Sequence, residues 1–323
     1  MNLTDATRIS GAIVVDKPIG LSSSQVVSRV KWALIRTSAV PKNFKIGHGG
    51  TLDPFASGVL IVLLGEATKL SDCYLHSKKT YTGRIRLGVR TDSGDPTGRE
   101  VEQKPVPKGS AALSPEFWQN HADAFVKGPY HQTPPMHSAK KKDGVALYEL
   151  ARRGISIERP PILKRIEGFR VTPLSEETLA FETTCESGTY IRVLAEDLAA
   201  RAETVAHLET LRRTRSSDRD LSEAAPLDTI ETHLRSGLPV GDLPAFIPLL
   251  GLASHVPALQ VSPTTASALR TGLQGPIQTL LKQADSLEDS GRYCLARLQE
   301  VPIALLERST SGAPFRLQRV IHS

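Results

Sequence analysis

Apolar residues recur along this chain with both strand and helix periods, and polar or glycine-rich turns separate them. Near the N-terminus, Ile13-Val14-Val15 predicts a short strand closed by the turn Asp16-Lys17-Pro18-Ile19-Gly20. Ser22 with Gln25 three residues on is a capping-box pattern, and Val26, Val30 and Leu34 follow at helical spacing. Val59 to Leu64 are six consecutive apolar residues, the pattern of a fully buried strand. Glu66 to Leu70 then predicts one or two helical turns. Tyr81, Gly83, Ile85, Leu87 and Val89 alternate with Thr82, Arg84, Arg86 and Gly88, which predicts a half-buried strand with two arginines on its polar face.

Residues 100–113 read as a surface loop. Ser114 before Pro115 starts a helix that carries Phe117 and Phe125 and stops at Gly128-Pro129. Leu147, Leu150 and Ala151 mark another helix ending near Gly154. Thr183 to Arg192 predicts a strand-to-helix turn, and Ile191, Leu194, Leu198 and Ala202 then lie on one apolar helical face. Pro226, Pro239, Pro244 and Pro248 accumulate between residues 222 and 250, a linker signal. Short strand-like pieces and a turn at Leu269-Arg270-Thr271-Gly272 follow.

At 323 residues, the chain is long enough for one large domain and a small one. No apolar run approaches the roughly 18 residues of a membrane span, and MNLTDATRIS lacks the apolar segment of a secretory signal. Cys73, Cys185 and Cys294 are odd in number and widely spaced, with no C-x-x-C pair. That pattern fits a reducing cytoplasm and argues against a disulfide framework or a zinc site. Net charge is +6; residues 241–323 hold 7 Lys+Arg against 6 Asp+Glu, so the excess sits in the first 240 residues. A mildly basic chain, with pI near 9.2, is compatible with a polyanionic partner.

The chemistry concentrates in Gly47 to Gly58, where four glycines, one imidazole, two hydroxyls and one carboxylate precede the buried run. A glycine-dense loop on a rigid strand lets backbone approach a ligand closely. By residue type alone, Asp53 before Pro54 is either a turn former or a reactive carboxylate. Lys17 reads as a turn charge, Tyr81 as a core tyrosine, and the lysines 140–142 as a solvated loop. Arg192 at a helix start opposes the helix dipole and needs a separate reason to be there.

The string GHGGTLDPFASGVLIVLLGEATKL resembles the active-site motif of the TruB-type tRNA pseudouridine synthases, close to G-H-T-G-T-L-D-P-x-A-T-G-x-L ending in G-x-A-T-K. Four further strings resemble the family in the same order across residues 11–215: GAIVVDKPIGLSSSQVV, the run from Lys79-Thr80-Tyr81 through the TDSGDPTG loop, QTPPMHSA with GVALYELARRG, and CESGTYIRVLAEDL followed by LETLRR. Gly49 and Ser57 stand where the family more often has threonine, and Glu186 where it is not acidic. HVPALQVSPTTASALRTG and PFRLQRVI weakly resemble a small PUA-type RNA-binding barrel.

The resemblance implies an α+β pseudouridine synthase fold: a mixed, largely antiparallel central sheet flanked by helices in residues 1–240, with a PUA-like barrel in 251–323. It implies isomerisation of uridine 55 in the T loop of tRNA after base flipping. In it Asp53 is the nucleophile, Arg192 pairs with Asp53, Tyr81 stacks on the uracil, and His48 fills the gap left by the flipped base. Tyr190 and Leu211 wall the pocket, while Lys17, Arg212 and Arg213 serve the RNA. It further implies a cytoplasmic monomer with tRNA as partner and no metal or cofactor. A catalytically silent RNA-binding or tRNA-folding protein is the rival from another class, and it would not need the Asp53, Tyr81 and Arg192 set. A hydrolase is disfavoured, since G-x-S-x-G, Walker-type and H-E-x-x-H signatures are all absent.

Overall fold

The computed structural model describes residues 9–109, 113–138, 141–142, 144–155, 157–271, 292–308 and 315–322. The leader reading of the first eight residues, Lys140 and Gly272 lie outside the described residues. The chain forms two compact units. One comprises residues 1–53, 58–77 and 216–323, and the other 54–57 and 78–215.

In the first unit, β1 (Gly11–Lys17) leads to α1 (Ser23–Arg36), β2 (Ile46–His48), β3 (Ser57–Leu64), a 3₁₀ turn (Gly65–Leu70) and α2 (Ser71–Leu75). The capping box forms as expected: the Ser22 hydroxyl accepts from the Gln25 amide at 3.2 Å, and the Ser22 amide donates to Gln25 Oε1 at 2.8 Å. β1 runs antiparallel to β3 over its whole length, from Gly11 opposite Leu64 to Lys17 opposite Gly58. Both strands are buried on two faces, which is why β3 is apolar without interruption. Leu60, Val62 and Leu64 join Ile13, Val15 and the buried face of α1 in one core. Val59, Ile61 and Leu63 join Ala12, Val14, Leu70 and Tyr74 in another.

The second unit contains β4 (Lys79–Leu87), β5 (Val89–Thr91), β6 (Glu100–Gln103), α3 (Pro115–Lys127), β7 (Tyr130–Gln132), a short hairpin of β8 (Lys141–Lys142) and β9 (Val145–Ala146), α4 (Leu147–Arg152), β10 (Ile162–Lys164), β11 (Ile166–Ser175), β12 (Thr178–Cys185), α5 (Ile191–Arg201) and β13 (Ala206–Ser216). Its sheet has the order β11-β12-β4-β13. The helix α3 packs on β11 through Phe125 against Phe169, and Gln119 accepts from the Val171 amide and donates to the Phe169 carbonyl. The alternation expected to reach Val89 stops at Leu87. Gly88, at φ +85°, turns the chain so that Val89 begins β5. The expected loop at 100–113 starts with β6, which pairs with β5.

The chain then returns to the first unit with β14 (Arg219–Asp220), β15 (Ala225–Pro226), α6 (Leu227–Arg235), β16 (Phe246–Pro248), β17 (Ala258–Gln260), α7 (Pro263–Arg270), β18 (Tyr293–Leu298), β19 (Val301–Arg308) and β20 (Phe315–Val320). The expected linker at 222–250 is instead core. β15 runs parallel to β1, β16 antiparallel to it, and Leu227, Ile230 and Leu234 of α6 pack in the same core as α1. Arg29 ties the two helices by donating to Glu231 at 2.7 Å. The described residues of the C-terminal segment form a four-stranded sheet, β17-β18-β19-β20, consistent with a PUA-like module. One face of it (Tyr293, Leu295, Leu305) packs with Val59, Ile61 and Tyr74, and the other (Cys294, Ala296, Leu306) with α7. Among the described residues, no helix is long and apolar enough to cross a membrane.

Ile230 is fully buried, so Ile230→Ala should lower the free energy of unfolding by about 2–5 kcal/mol, read as a reduced urea midpoint. A linker residue would leave the midpoint unchanged.

Candidate active site

Three of the sequence-marked residues lie in the first unit. His48 ends β2 opposite Val62, and the next amide, Gly49, donates to the Ile61 carbonyl at 2.9 Å. The Gly50 amide donates to His48 Nδ1 at 3.3 Å, so that nitrogen is an acceptor. Leu52 is buried, and one hydroxyl serves both its backbone groups. Ser23 Oγ accepts from the Leu52 amide at 2.8 Å and donates to the Leu52 carbonyl at 3.1 Å. Asp53 follows, half-buried, before exposed Pro54; Phe55 and Ala56 are buried again. Its carboxylate therefore extends from a loop whose backbone is tied to β3 on one side and α1 on the other.

Lys17 is fully buried at the end of β1, with its ammonium donating to the carbonyls of Pro18 at 2.8 Å and Leu21 at 2.7 Å. A buried ammonium must be met by acceptors, and here it braces the turn before α1. Gly49 fits its neighbour closely. A Cβ built there would lie 2.6 Å from Cβ of Tyr74. That tyrosine is fully buried, its phenol pushed up by burial, and its oxygen accepts from the Ala253 amide at 2.9 Å.

The other marked residues lie in the second unit. Tyr81 on β4 is 9% exposed and pairs with Thr183 of β12. Lys79, two residues earlier on the same side, is buried, and desolvation followed by the Arg213 guanidinium pulls its ammonium down to about 7. On β13, Leu211 and Arg213 are buried on one face, with Arg212 on the other. Arg213 is 1% exposed, buried on the face it shares with Leu211. Arg212 donates to the Ser57 hydroxyl at 3.1 Å, a group that serine and threonine share.

Arg192 is 4% exposed at the start of α5. Its two terminal nitrogens donate to the carbonyls of Ser93 at 2.7 Å and His137 at 2.8 Å, which accounts for a cation at that helix end. Tyr190, the N-cap residue, is held by Gln132. Gln132 Oε1 accepts from the Tyr190 amide at 2.8 Å, and Nε2 donates to the Tyr190 carbonyl at 3.0 Å. Gln132 also donates to the Tyr130 hydroxyl, which in turn donates to Asp197 at 2.6 Å. One turn beyond Arg192, burial, reinforced by Asp197 and opposed by Arg90 and Arg192, raises Glu196 to about 7. The acidic departure Glu186 is met by Lys164 at 3.5 Å. Ser23, Gln132, Lys79 and Glu196 all lay inside matched strings but were given no role by sequence. The partners of Gln132 and Ser23 are 58 and 29 residues away.

Solved structures share this architecture. The Cbf5 chain of a Cbf5-Nop10-Gar1 complex superposes with a TM-score of 0.66 at 20% identity, covering 99% of this chain and 86% of that one. An archaeal box H/ACA sRNP Nop10-Cbf5 complex gives 0.66 at 19%, covering 99% and 88%. These likenesses define the pseudouridine synthase fold. The model of the TruB family pseudouridylate synthase N-terminal domain matches residues 37–191. The tRNA pseudouridine synthase B of Azoarcus sp. is 36% identical over 267 residues, 82% of each chain, and that of Bordetella pertussis 38% over 245 residues, 73% of this chain and 96% of that one. The chain belongs to the TruB family. It spans less of the Psychrobacter cryohalolentis relative, 65% of that protein's length at 42% identity and 72% of its own.

Two measurements test this geometry. Gly49→Ala should destabilise the protein by about 1–3 kcal/mol through overpacking against Tyr74. In a cycle with Tyr74→Gly, which removes the Cβ as well as the ring, the double variant should be at least about 0.5 kcal/mol more stable than the two single effects summed. Simple additivity would mean that the two positions do not press on each other. Glu196 stays protonated in the fold up to about 7 but ionises from about 4.5 when unfolded, so its stabilising contribution is fully present below pH 4.5 and lost as pH rises from there through 7. Glu196→Gln should therefore raise the urea midpoint at pH 8 and leave it unchanged at pH 4. A gain of equal size at both pH values would contradict the assignment.

Proposed function

We propose that this protein isomerises uridine 55 in the T loop of tRNA to pseudouridine, without metal or cofactor. The observation that carries the reading is membership of the TruB family together with Asp53, Tyr81 and Arg192 at matching motif positions. The relatives named above are called tRNA pseudouridine synthase B, which supports tRNA as the substrate class.

In this reading, the target base leaves the loop stack at a cost of a few kcal/mol, offset by stacking and hydrogen bonds in the protein. The bond from N1 to the sugar breaks, the base turns, and a bond from C5 to the same sugar carbon replaces it. C5 loses a proton and N1 gains one, so the composition is unchanged. Asp53 acts on the sugar as a carboxylate and Arg192 pairs with it. Tyr81 stacks on the base and takes part in proton transfer. Tyr190 and Leu211 line its pocket, His48 occupies the space the base vacates, and Arg212 serves the RNA backbone. Lys17 contributes through the turn it braces. We assign the catalytic domain to 1–240 and RNA affinity to 251–323. The buried free thiols Cys73, Cys185 and Cys294 suit a reducing cytoplasm.

A short unmodified T-arm stem-loop is the test substrate. Wild type should convert one loop uridine, while Asp53→Asn should give no detectable product and bind the same RNA within a fewfold of wild type. Product from Asp53→Asn would overturn the nucleophile assignment, and absence of product from wild type would overturn the activity.

A further inference from the structure

The loop before Asp53 is held by a buried serine of α1. Ser23 is the first residue of α1 and its side chain is 2% exposed. It does not cap the helix, because Ser22 and Gln25 already form the box. Its hydroxyl is spent on Leu52, 29 residues away, accepting from the amide at 2.8 Å and donating to the carbonyl at 3.1 Å. Both backbone groups of the residue before Asp53 are thereby satisfied inside the protein, with the Leu52 side chain itself buried. An amide and a carbonyl left there without partners would move toward water or toward each other's neighbours, and the only covalent neighbour downstream is Asp53.

We propose that Ser23 is a positioning residue for the Asp53 carboxylate, fixing the backbone from which that side chain extends. The proposal rests on the reading of Asp53 as the group that reacts at the sugar. A reacting group displaced by about 1 Å loses on the order of a hundredfold in rate while binding is little changed. Ser23 lies in the first turn of α1, so its hydroxyl reaches the loop from a helix buried against the β1–β3 core. The chemistry required at position 23 is a small group that both donates and accepts. Alanine offers neither, and cysteine keeps the volume with a much weaker donor and acceptor.

The experiment compares wild type, Ser23→Ala, Ser23→Cys, Ser22→Ala and Asp53→Asn on the T-arm stem-loop, well below the melting temperature of each. Ser23→Ala and Ser23→Cys should lower kcat by about tenfold to a hundredfold, with KM and RNA affinity within about twofold of wild type. Hydrogen exchange at the Leu52 amide should quicken in both. Ser22→Ala, which loses the cap but keeps the Leu52 contact, should lower the melting temperature at unchanged kcat. Wild-type kcat in either folded Ser23 variant, with Asp53→Asn inactive, would overturn the positioning role and leave the Asp53 assignment standing. An active Asp53→Asn would overturn both. A Ser23 variant whose loss lies in KM alone would assign the residue to RNA binding and end the proposal.

Discussion

Two-sided burial of the β1–β3 pair is the constraint on which the first unit depends. Each strand sends alternate side chains into two separate cores, so a slip of one residue would exchange every one of them between faces. Register is thereby fixed over the whole antiparallel pairing, from Gly11 opposite Leu64 to Lys17 opposite Gly58. The loop that carries Asp53 hangs between β2 and β3, and its ends inherit that register. Hydrogen bonds from Gly49 to Ile61 and between Leu52 and Ser23 then leave little freedom short of Asp53 itself.

Buried polar groups do in the second unit what apolar burial does in the first. Arg192, Gln132 and the Tyr130–Asp197 pair each satisfy backbone or side-chain groups that the fold removes from water. Removing one partner from such a set costs more than the bond it made, because the other is left buried and unmet. The same logic governs Lys17 in the first unit. Positions that read as surface charges in a linear sequence are therefore structural braces. Arg212, on the opposite face of β13 from Leu211, is by contrast half-buried.

Much of the fold was legible where one residue's environment is set by its near neighbours. The β3 run, the Ser22–Gln25 box and the Ser114-Pro115 start all formed as their patterns predict. The proline cluster misled because proline has two uses. Pro226, Pro239 and Pro248 stand immediately before short helices, where fixed φ begins a helix and does not end it. Gly88 fits an alternating strand by size alone, and only its positive φ reveals the break. At the site, motif residues were legible because they are contiguous strings. The Ser23 and Gln132 clamps were not, since each is defined by a partner brought close only by folding.

The order of the chain through the two units bears on how the protein is made. Apart from the four-residue excursion at 54–57, the second unit is a single stretch, 78–215, enclosed by the two parts of the first. On a ribosome it can close on itself as soon as that stretch has emerged. β1 must wait for β15 and β16, more than 200 residues downstream, before both its partners on that side exist. Contacts at such sequence separation form slowly, and the apolar strands stay uncovered meanwhile. The strands beneath Asp53 are thus fully paired only after residues 225–248 have been made.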